Sequence, residues 1–268
     1  MKIALIQMCS SSDIGSNLDK AEMLISHAAS KGAEMAVLPE SFYLMEKFQG
    51  QKLNYVEAHG QGSIQQWMKN LAKDKKIAIV GGTIAVESSE QDRPFARCYV
   101  VDEHGNTVSH YDKMHLFDVA VKDDESYSES SHTFPGNHIQ LFQWKGVKFG
   151  LSVCYDLRFP ELYRRYQELG AEVLLVPSAF TYNTGKVHWE LLLKARAVEN
   201  LCFVLAPNQT GIHDNNRKTY GHSMVIGPWG DTIGTLEEDE SILVCDVDIS
   251  QIETLKRRFP VHLHRKVK

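Results

Sequence analysis

One stretch is more informative than any other in this chain, FGLSVCYDLRFPEL at residues 149–162. Apolar side chains alternate up to Val153, which predicts a strand, and Pro160 with Glu161 predicts the first turn of a helix. Cys154 lies between the two, at the carboxyl end of the strand and near helix-terminal amides. Open α/β sheets tend to carry their chemistry there, so Cys154 is a candidate nucleophile. A small buried apolar side chain is the other interpretation, and this stretch leaves both open.

Two charged residues also follow strand patterns directly. Glu40 comes after the apolar run AEMAVLP at residues 33–39, and Lys113 ends the strand pattern SHYDK at residues 109–113. Taken singly, each is more typical of a solvated surface charge. In this order and context, however, Glu40, Lys113 and Cys154 resemble the Glu-Lys-Cys triad of the carbon–nitrogen hydrolase, or nitrilase, superfamily.

The resemblance extends over essentially the whole chain, from IALIQ at residues 3–7 to PVHLHR at residues 260–265. It implies an α/β fold, a four-layer α-β-β-α sandwich with two mixed sheets. It also implies a single domain over residues 1–268, in which residues 259–268 form a C-terminal tail at the interface of a homodimer.

The residue patterns agree with such a fold. Strand patterns lie at about residues 2–8, 34–38, 77–86, 97–102, 147–153, 172–176, 202–206, 222–227 and 241–247. Helical patterns lie at about residues 17–31, 62–75, 160–169 and 187–200. Turn signals at residues 103–106 and 227–231 join neighbouring strands as hairpins, so the sheets should be mixed. The polar stretch from Lys122 to Ser131 is predicted to be a loop.

The segment GAEMAVLP at residues 32–39 recurs as GAEVLLVP at residues 170–177. Each follows a helical pattern and ends at the mouth of the predicted site. Chance similarity of two such units is one explanation. The other is that the two halves are related sheets, packed face to face with helices outside, in agreement with the sandwich.

Composition excludes several classes of function. The chain has 268 residues, 43% hydrophobic and 24% charged, enough to bury a large core in one domain. A net charge of −5 gives no electrostatic reason to bind nucleic acid or an anionic membrane. No apolar run approaches the roughly 20 residues that span a bilayer, and no targeting segment is recognised.

The cysteines are odd in number and widely spaced, without a CxxC pair: Cys9, Cys98, Cys154, Cys202 and Cys245. This predicts neither a disulfide framework nor a zinc site, and a reducing cytoplasm fits best. The dispersed histidines lack metal-ligand spacing, so neither a metal nor any other cofactor is expected.

The resemblance implies a mechanism for the triad. Glu40 would take the thiol proton as Cys154 attacks an amide carbonyl, and would later activate water against the thioester. Lys113 and the backbone N–H of Tyr155 would stabilise the oxyanion, and ammonia would leave. Glu129 matches a second glutamate, which the family uses to hold the lysine and the base in place. A solvated loop carboxylate is the alternative.

Arg158 is the candidate specificity residue, because a guanidinium near the nucleophile can clamp a carboxylate bidentately. An ion pair within the chain is the alternative, with Asp156, Glu161 or Asp118 as its partner. Tyr155, Phe180 and Thr181 are candidates for the wall of the same pocket. The expected partner is therefore a small amide substrate that carries a carboxylate.

Within the superfamily the chain resembles the Nit-type amidases, through CYDLRFPELY at residues 154–163 and PSAFT at residues 177–181. That branch includes deaminated glutathione amidases and ω-amidases, which act on α-ketoglutaramate or succinamate. The stretch QTGIH at residues 209–213, followed by Arg217, favours the first. Nitriles and N-carbamoyl compounds are less favoured substrates of the same triad. The sequence predicts no function for the acidic segment 118–125.

Two interpretations from other classes stay open. A Cys–His hydrolase would use His115 or His188 as its base and leave Glu40 structural. A scaffold or ligand-binding protein would keep the fold with an idle triad. His188 and Trp189 lie on a helical pattern and are predicted to be packing residues.

Overall fold

The computed structural model describes residues 1–122 and 125–267. Its helices are α1 (Ile14–Ser30), α2 (Ser63–Lys75), α3 (Pro160–Glu168), α4 (Tyr182–Asn200) and α5 (Ser250–Arg258). Its strands are β1 (Lys2–Gln7), β2 (Met35–Leu38), β3 (Ala78–Gly81), β4 (Ile84–Val86), β5 (Phe95–Val101), β6 (Thr107–Asp112), β7 (Asp118–Lys122), β8 (Glu125–Ser128), β9 (Leu141–Trp144), β10 (Val147–Leu151), β11 (Val173–Leu175), β12 (Phe203–Ala206), β13 (Thr210–Ile212), β14 (Lys218–Tyr220), β15 (Met224–Ile226), β16 (Thr232–Thr235) and β17 (Ser241–Asp246). Within the described ranges, no helix combines the length and the apolar character needed to cross a membrane.

Two mixed sheets form the centre of the molecule. The first has the strand order β17-β1-β2-β3-β5-β4, with β6 beside β5, and the second has the order β16-β15-β12-β11-β10-β9. Side chains of β1 alternate between two cores: Ile3 and Leu5 share one with Phe149 of the second sheet, whereas Ala4 and Ile6 share the other with α1 and α2. Helix α4 packs against β12 and β15 on the second sheet. The predicted four-layer α-β-β-α sandwich is confirmed.

The two repeated segments occupy equivalent places in the two sheets. Strand β2 is the middle of three parallel strands, β1-β2-β3, and β11 is the middle of β10-β11-β12. Antiparallel strands flank both trios. Parallel strands end at a common edge, so the residues that follow β2, β10 and β11 are the ones the fold can gather into a site.

The single strand predicted over residues 77–86 is wrong, because the chain breaks between β3 and β4. The break lies at Gly82, whose φ is +45°. A Cβ added there would lie 1.9 Å from the carbonyl oxygen of Pro39, closer than any real contact. Glycine at position 82 therefore lets the Pro39 carbonyl lie close to the chain break, and Glu40 follows Pro39 directly.

The loop predicted from Lys122 to Ser131 is also wrong. Strand β8 pairs with β7 as a hairpin, and a 3₁₀ turn over Glu129–Ser131 follows it; residues 123 and 124 lie outside the described part. The polar composition hides the alternation of half-buried and exposed side chains along β8. Helix α5 is also absent from the predicted helical patterns, because it is short and Ile252 is its one buried residue.

Candidate active site

The three strand-end residues meet in one buried cluster. Glu40 follows β2, Lys113 follows β6 and Cys154 follows β10. The Lys113 ammonium lies 2.8 Å from Glu40 Oε1, and Glu129 accepts from the same ammonium through both oxygens, at 2.9 and 2.8 Å. Lys113 is only 2% exposed. The tertiary structure thus brings all four predicted catalytic residues together.

Glu40 is held at both its side chain and its backbone. Its second oxygen, Oε2, accepts from the backbone N–H of Ala179 at 2.9 Å. Its carbonyl accepts from Gln209 Nε2 at 3.0 Å. Ser41 follows in a left-handed conformation with φ +58° and donates its N–H to Thr83 Oγ1 at 2.9 Å. The carboxylate is therefore fixed in orientation before any substrate arrives.

Glu129 links the Lys113 ammonium to the turn that follows β6. Its Oε2 accepts the backbone N–H of Phe117 at 2.7 Å in addition to the ammonium. Burial alone would lower the pKa of Lys113, but the carboxylates of Glu129 and Glu40 raise it above its usual value. Lys113 therefore stays an ammonium throughout the physiological pH range.

Cys154 begins a short 3₁₀ helix, Cys154–Arg158, directly after the strand end. Its φ of +47° is a left-handed conformation that costs a non-glycine residue about 1–2 kcal/mol. The backbone holds it there, since Cys154 N–H donates to the carbonyl of Pro177 at 3.0 Å. Strain of this kind concentrates at functional sites, because the surrounding structure must be built to maintain it.

Asp156 anchors this turn, a role that the sequence did not reveal. Its fully buried carboxylate accepts from the Val153 N–H at 2.8 Å and from the Tyr111 hydroxyl at 2.8 Å. It also accepts from His115, through the backbone N–H at 3.0 Å and Nδ1 at 2.7 Å. One carboxylate therefore joins the cysteine turn to the segment that carries Lys113. The only sequence signal was its position two residues after Cys154.

The protonation states of the thiol and the base are set by burial and by neighbouring charges. Burial and the adjacent Glu40 carboxylate raise the pKa of Cys154, and Lys113 only partly opposes them. Burial would raise the pKa of Glu40, but the Lys113 ammonium brings it below the usual value. The resting pair is therefore a neutral thiol beside an ionised carboxylate, and proton transfer must accompany attack by sulfur.

A cavity of about 560 Å³ opens above the cluster. Arg158 lines it, with its guanidinium 5.2 Å from the Phe180 ring centre and 5.8 Å from that of Tyr155. Arg158 Nη1 donates to His188 Nδ1 at 3.1 Å. Within the described ranges, it pairs with none of Asp156, Glu161 and Asp118. Its charge is therefore available to the cavity.

Phe180 and Thr181 both line the cavity, but they differ in what they offer it. Phe180 packs against Trp189 at 4.9 Å between ring centres, and its N–H donates to Asn208 Oδ1 at 2.9 Å. The Thr181 hydroxyl lies 2.7 Å from that of Thr184. Phe180 thus supplies a fixed apolar wall, whereas the Thr181 hydroxyl already has a partner.

Neither histidine of the alternative Cys–His scheme adjoins the thiol. His115 is bound to Asp156 and stacks on Phe159 at 3.7 Å between ring centres. His188 is bound to Arg158, and neither histidine lines the cavity. The basic group beside the sulfur is Glu40.

Lys52 and Arg217 are among the cavity-lining cations that have no predicted role. Lys52 donates to Thr133 Oγ1 at 2.6 Å, and burial lowers its pKa. Both residues lie outside the strand-end pattern that revealed the triad, so periodicity gave no signal for them.

Comparison with known proteins identifies the family. A family model described as carbon–nitrogen hydrolase matches residues 2–257. A deaminated glutathione amidase of Synechocystis sp. is 36% identical over 269 residues, which cover 98% of this chain and 97% of that relative. The crystal structure of the C. elegans NitFhit protein matches with a TM-score of 0.91 at 34% identity. The match covers 99% of this chain but only 65% of the NitFhit chain. Saccharomyces cerevisiae Nit3, a member of branch 10 of the nitrilase superfamily, matches with a TM-score of 0.87 at 31% identity, covering 97% of this chain and 94% of Nit3. The chain therefore belongs to the carbon–nitrogen hydrolase family, the hydrolases that act on carbon–nitrogen bonds other than peptide bonds.

Proposed function

We propose that this enzyme hydrolyses a linear carboxylic amide through a thioester on Cys154. The observation that carries the proposal is the Lys113 ammonium bound between Glu40 and Glu129 beside a buried thiol. Such a cluster contains a nucleophile, a fixed base and a permanent positive charge, which are the three groups that acyl transfer needs.

The reaction runs in two halves. Glu40 takes the thiol proton as the Cys154 sulfur bonds to the amide carbon, and the oxyanion forms beside Lys113 Nζ and the Tyr155 N–H. The carbon–nitrogen bond then breaks, and Glu40 gives its proton to the departing nitrogen. Glu40 next deprotonates a water that attacks the thioester carbon. The carbon–sulfur bond breaks, the acid is released, and the thiol recovers its proton.

Deaminated glutathione is the substrate we propose first. The name of the Synechocystis relative supports it, together with an Arg158 guanidinium that faces the cavity without an ion-pair partner. A cavity of about 560 Å³ lies within the range of about 300–1,000 Å³ of pockets that enclose whole small molecules. The leaving group of this substrate is the amine of a dipeptide, so the ammonia expected above applies only to primary amides.

The second candidate is an ω-amidase acting on α-ketoglutaramate or succinamate. It is favoured by the same Arg158, because one guanidinium is sufficient for the single carboxylate of either compound. Nitriles and N-carbamoyl compounds are the remaining candidates for this cluster.

The deciding experiment compares kcat/KM for deaminated glutathione, α-ketoglutaramate, succinamate, a simple nitrile and an N-carbamoyl amino acid. Acid product is measured with all five, and Cys154→Ala is the blank. Preference for deaminated glutathione supports the first proposal, and preference for α-ketoglutaramate supports the second. Absence of Cys154-dependent turnover from all five would reject the proposed chemistry.

The enzyme is also proposed to act as a homodimer in the cytoplasm. Helix α4 exposes Val187, Leu191 and Val198, and the C-terminal tail exposes Leu263, which is 73% accessible. Apolar side chains in such number are typical of an interface. Light scattering should show a shift toward monomer when the residues after Phe259 are deleted, and an unchanged mass would contradict the tail's role. All five thiols are unpaired, as a reducing compartment favours.

A further inference from the structure

The cavity contains a second guanidinium, Arg217, in the turn between β13 and β14. Its Nη2 donates to the carbonyl of Ala179 at 2.5 Å, and its guanidinium lies 5.3 Å from the Tyr127 ring centre. Its Nε is shielded from solvent and, within the described ranges, has no hydrogen-bond partner. Nor does a described carboxylate form an ion pair with Arg217. A guanidinium that lines a cavity without a carboxylate partner favours the binding of an anionic ligand there.

The backbone around Arg217 holds this group in place. His213 N–H donates to the carbonyl of Arg217 at 2.9 Å, and Asn216 adopts a left-handed φ of +63°. Asn215 Nδ2 donates to the carbonyl of Glu46 at 2.8 Å, which ties the turn to the opposite wall. The guanidinium is therefore preorganised, and a ligand meets little ordering cost.

Arg217 lies on the Glu40 side of the site. Its carbonyl partner, Ala179, is the residue whose N–H donates to Glu40 Oε2. The charge of Arg217 contributes to lowering the pKa of Glu40. Arg158, by contrast, donates a hydrogen bond to His188 of helix α4. In the proposed reaction Glu40 gives a proton to the departing nitrogen. The group attached to that nitrogen therefore extends toward Arg217.

We propose that Arg217 binds a carboxylate on the leaving group, so that the preferred substrates are N-substituted amides whose amine portion ends in an acid, as a dipeptide does. This inference rests on the proposed function. Deaminated glutathione has one carboxylate on each side of its scissile bond, which matches two guanidinium groups. The primary amides α-ketoglutaramate and succinamate have none on the leaving side.

The test uses a matched pair of substrates, deaminated glutathione and its C-terminal carboxamide, which share the acyl group and the scissile bond. The wild-type enzyme should prefer the carboxylate. In Arg217→Gln the ratio of the two kcat/KM values should fall by about 10- to 100-fold, the loss typical of a charge-assisted hydrogen bond. Inhibition by cysteinylglycine, compared with its carboxamide, should lose its selectivity in the same way.

Arg93→Gln is the matched control. Arg93 also lies over an aromatic ring, Phe134 at 5.4 Å, donates Nη2 to a backbone carbonyl and has a shielded Nε without a partner. It differs from Arg217 in that it does not line the cavity and pairs with Glu90. The carboxylate-to-carboxamide ratio of Arg93→Gln should therefore stay within about twofold of wild type.

The outcomes separate the two proposals. Equal losses on both substrates in Arg217→Gln would overturn the leaving-group subsite, because Arg217 would then act through Glu40 or the fold. Equal wild-type turnover of both analogues would overturn the subsite and leave the deaminated glutathione assignment in place. Cys154-dependent turnover of α-ketoglutaramate alone would overturn both.

Discussion

The repeated segments at residues 32–39 and 170–177 build the same strand twice, yet the two strand ends do different work. The first ends at Pro39 and is followed by Glu40, which carries the charge beside the thiol. The second ends at Pro177, whose carbonyl accepts from Cys154 N–H, and it is followed by small and apolar residues. Ala179 there donates its N–H to Glu40. One end supplies the proposed general base, and the other supplies backbone groups that hold the base and the cysteine turn.

Similar local sequences therefore determine similar strands but not similar chemistry. The chemistry depends on the few residues after each strand and on what faces them. Phe180, after the second strand, also supports the Arg158 guanidinium at 5.2 Å. In the proposed mechanism, the first strand end therefore supplies a reacting group, and the second positions that group and the Arg158 guanidinium.

Glu40→Gln tests this division most directly. Without the carboxylate at the first strand end, we expect kcat for the best amide to fall by about 10³-fold, within the range typical of a lost general base. Steady-state kinetics would measure this fall in kcat, and the unfolding temperature would show whether the variant keeps the fold. Retained activity would point instead to a histidine base and would remove the chemical role of the first strand end.

Lys113→Met should lower kcat by about 10²–10³-fold, the usual cost of losing one oxyanion donor. Buried Glu40 and half-buried Glu129 would also lose their shared cation, so the free energy of unfolding should fall by about 3–5 kcal/mol. Lys145→Met is the control, since it removes an exposed ion pair with Glu34 that contributes little. If both variants behaved alike in kcat and in denaturant unfolding, the buried charge cluster would have no special role.

Gly82→Ala tests the packing at the first strand end. A Cβ there collides with the carbonyl of Pro39, so we expect a loss of about 1–3 kcal/mol in the free energy of unfolding. In Gly146→Ala, where φ is +81° but nothing lies within 4 Å of the new Cβ, backbone strain acts alone and the loss should be smaller. Equal losses in chemical denaturation would mean that the close approach at the first strand end is unimportant.

His188→Gln should have the smallest effect, and it addresses the binding side. Burial, and then the charge of Arg158, lower the pKa of His188, so its ring is neutral at neutral pH and accepts from Arg158. As pH falls through this lowered pKa, protonation removes the acceptor and repels the guanidinium. In the wild type, KM for a carboxylated amide should therefore rise at acid pH. The rise should occur below the usual histidine pKa of about 6.5.

In His188→Gln this acid rise in KM should disappear, with KM at neutral pH changed by about two- to fivefold. KM and kcat measured across the pH range separate this from a structural effect. An identical pH profile in both enzymes would show that His188 only packs.

The sandwich and the candidate catalytic residues could be predicted because the resemblance to the nitrilase superfamily implies them and the local strand patterns agree with it. Alternating apolar residues before Cys154 and the apolar run before Glu40 marked two strand ends. Strand β8 escaped prediction, because its aromatic residue, Tyr127, lies among the polar residues Glu125, Ser126 and Ser128. Asp156 was overlooked as an anchor, because its four donors come from Val153, Tyr111 and His115, which no local pattern connects to it.

Local periodicity was sufficient for most of the strands, and the resemblance over the whole chain was sufficient for the family and for the proposed nucleophile. The neighbours of each charge were decided by tertiary structure alone. Lys113 contacts the Glu40 carboxylate although the two residues are 73 positions apart in the chain. The Ala179 N–H contacts the same carboxylate from 139 positions away. Folding sets these distances, and Coulomb energy and burial depend on distance and not on chain order. The same reason explains why the neighbours of the two guanidinium groups, Arg158 and Arg217, could be assigned only once the fold was known.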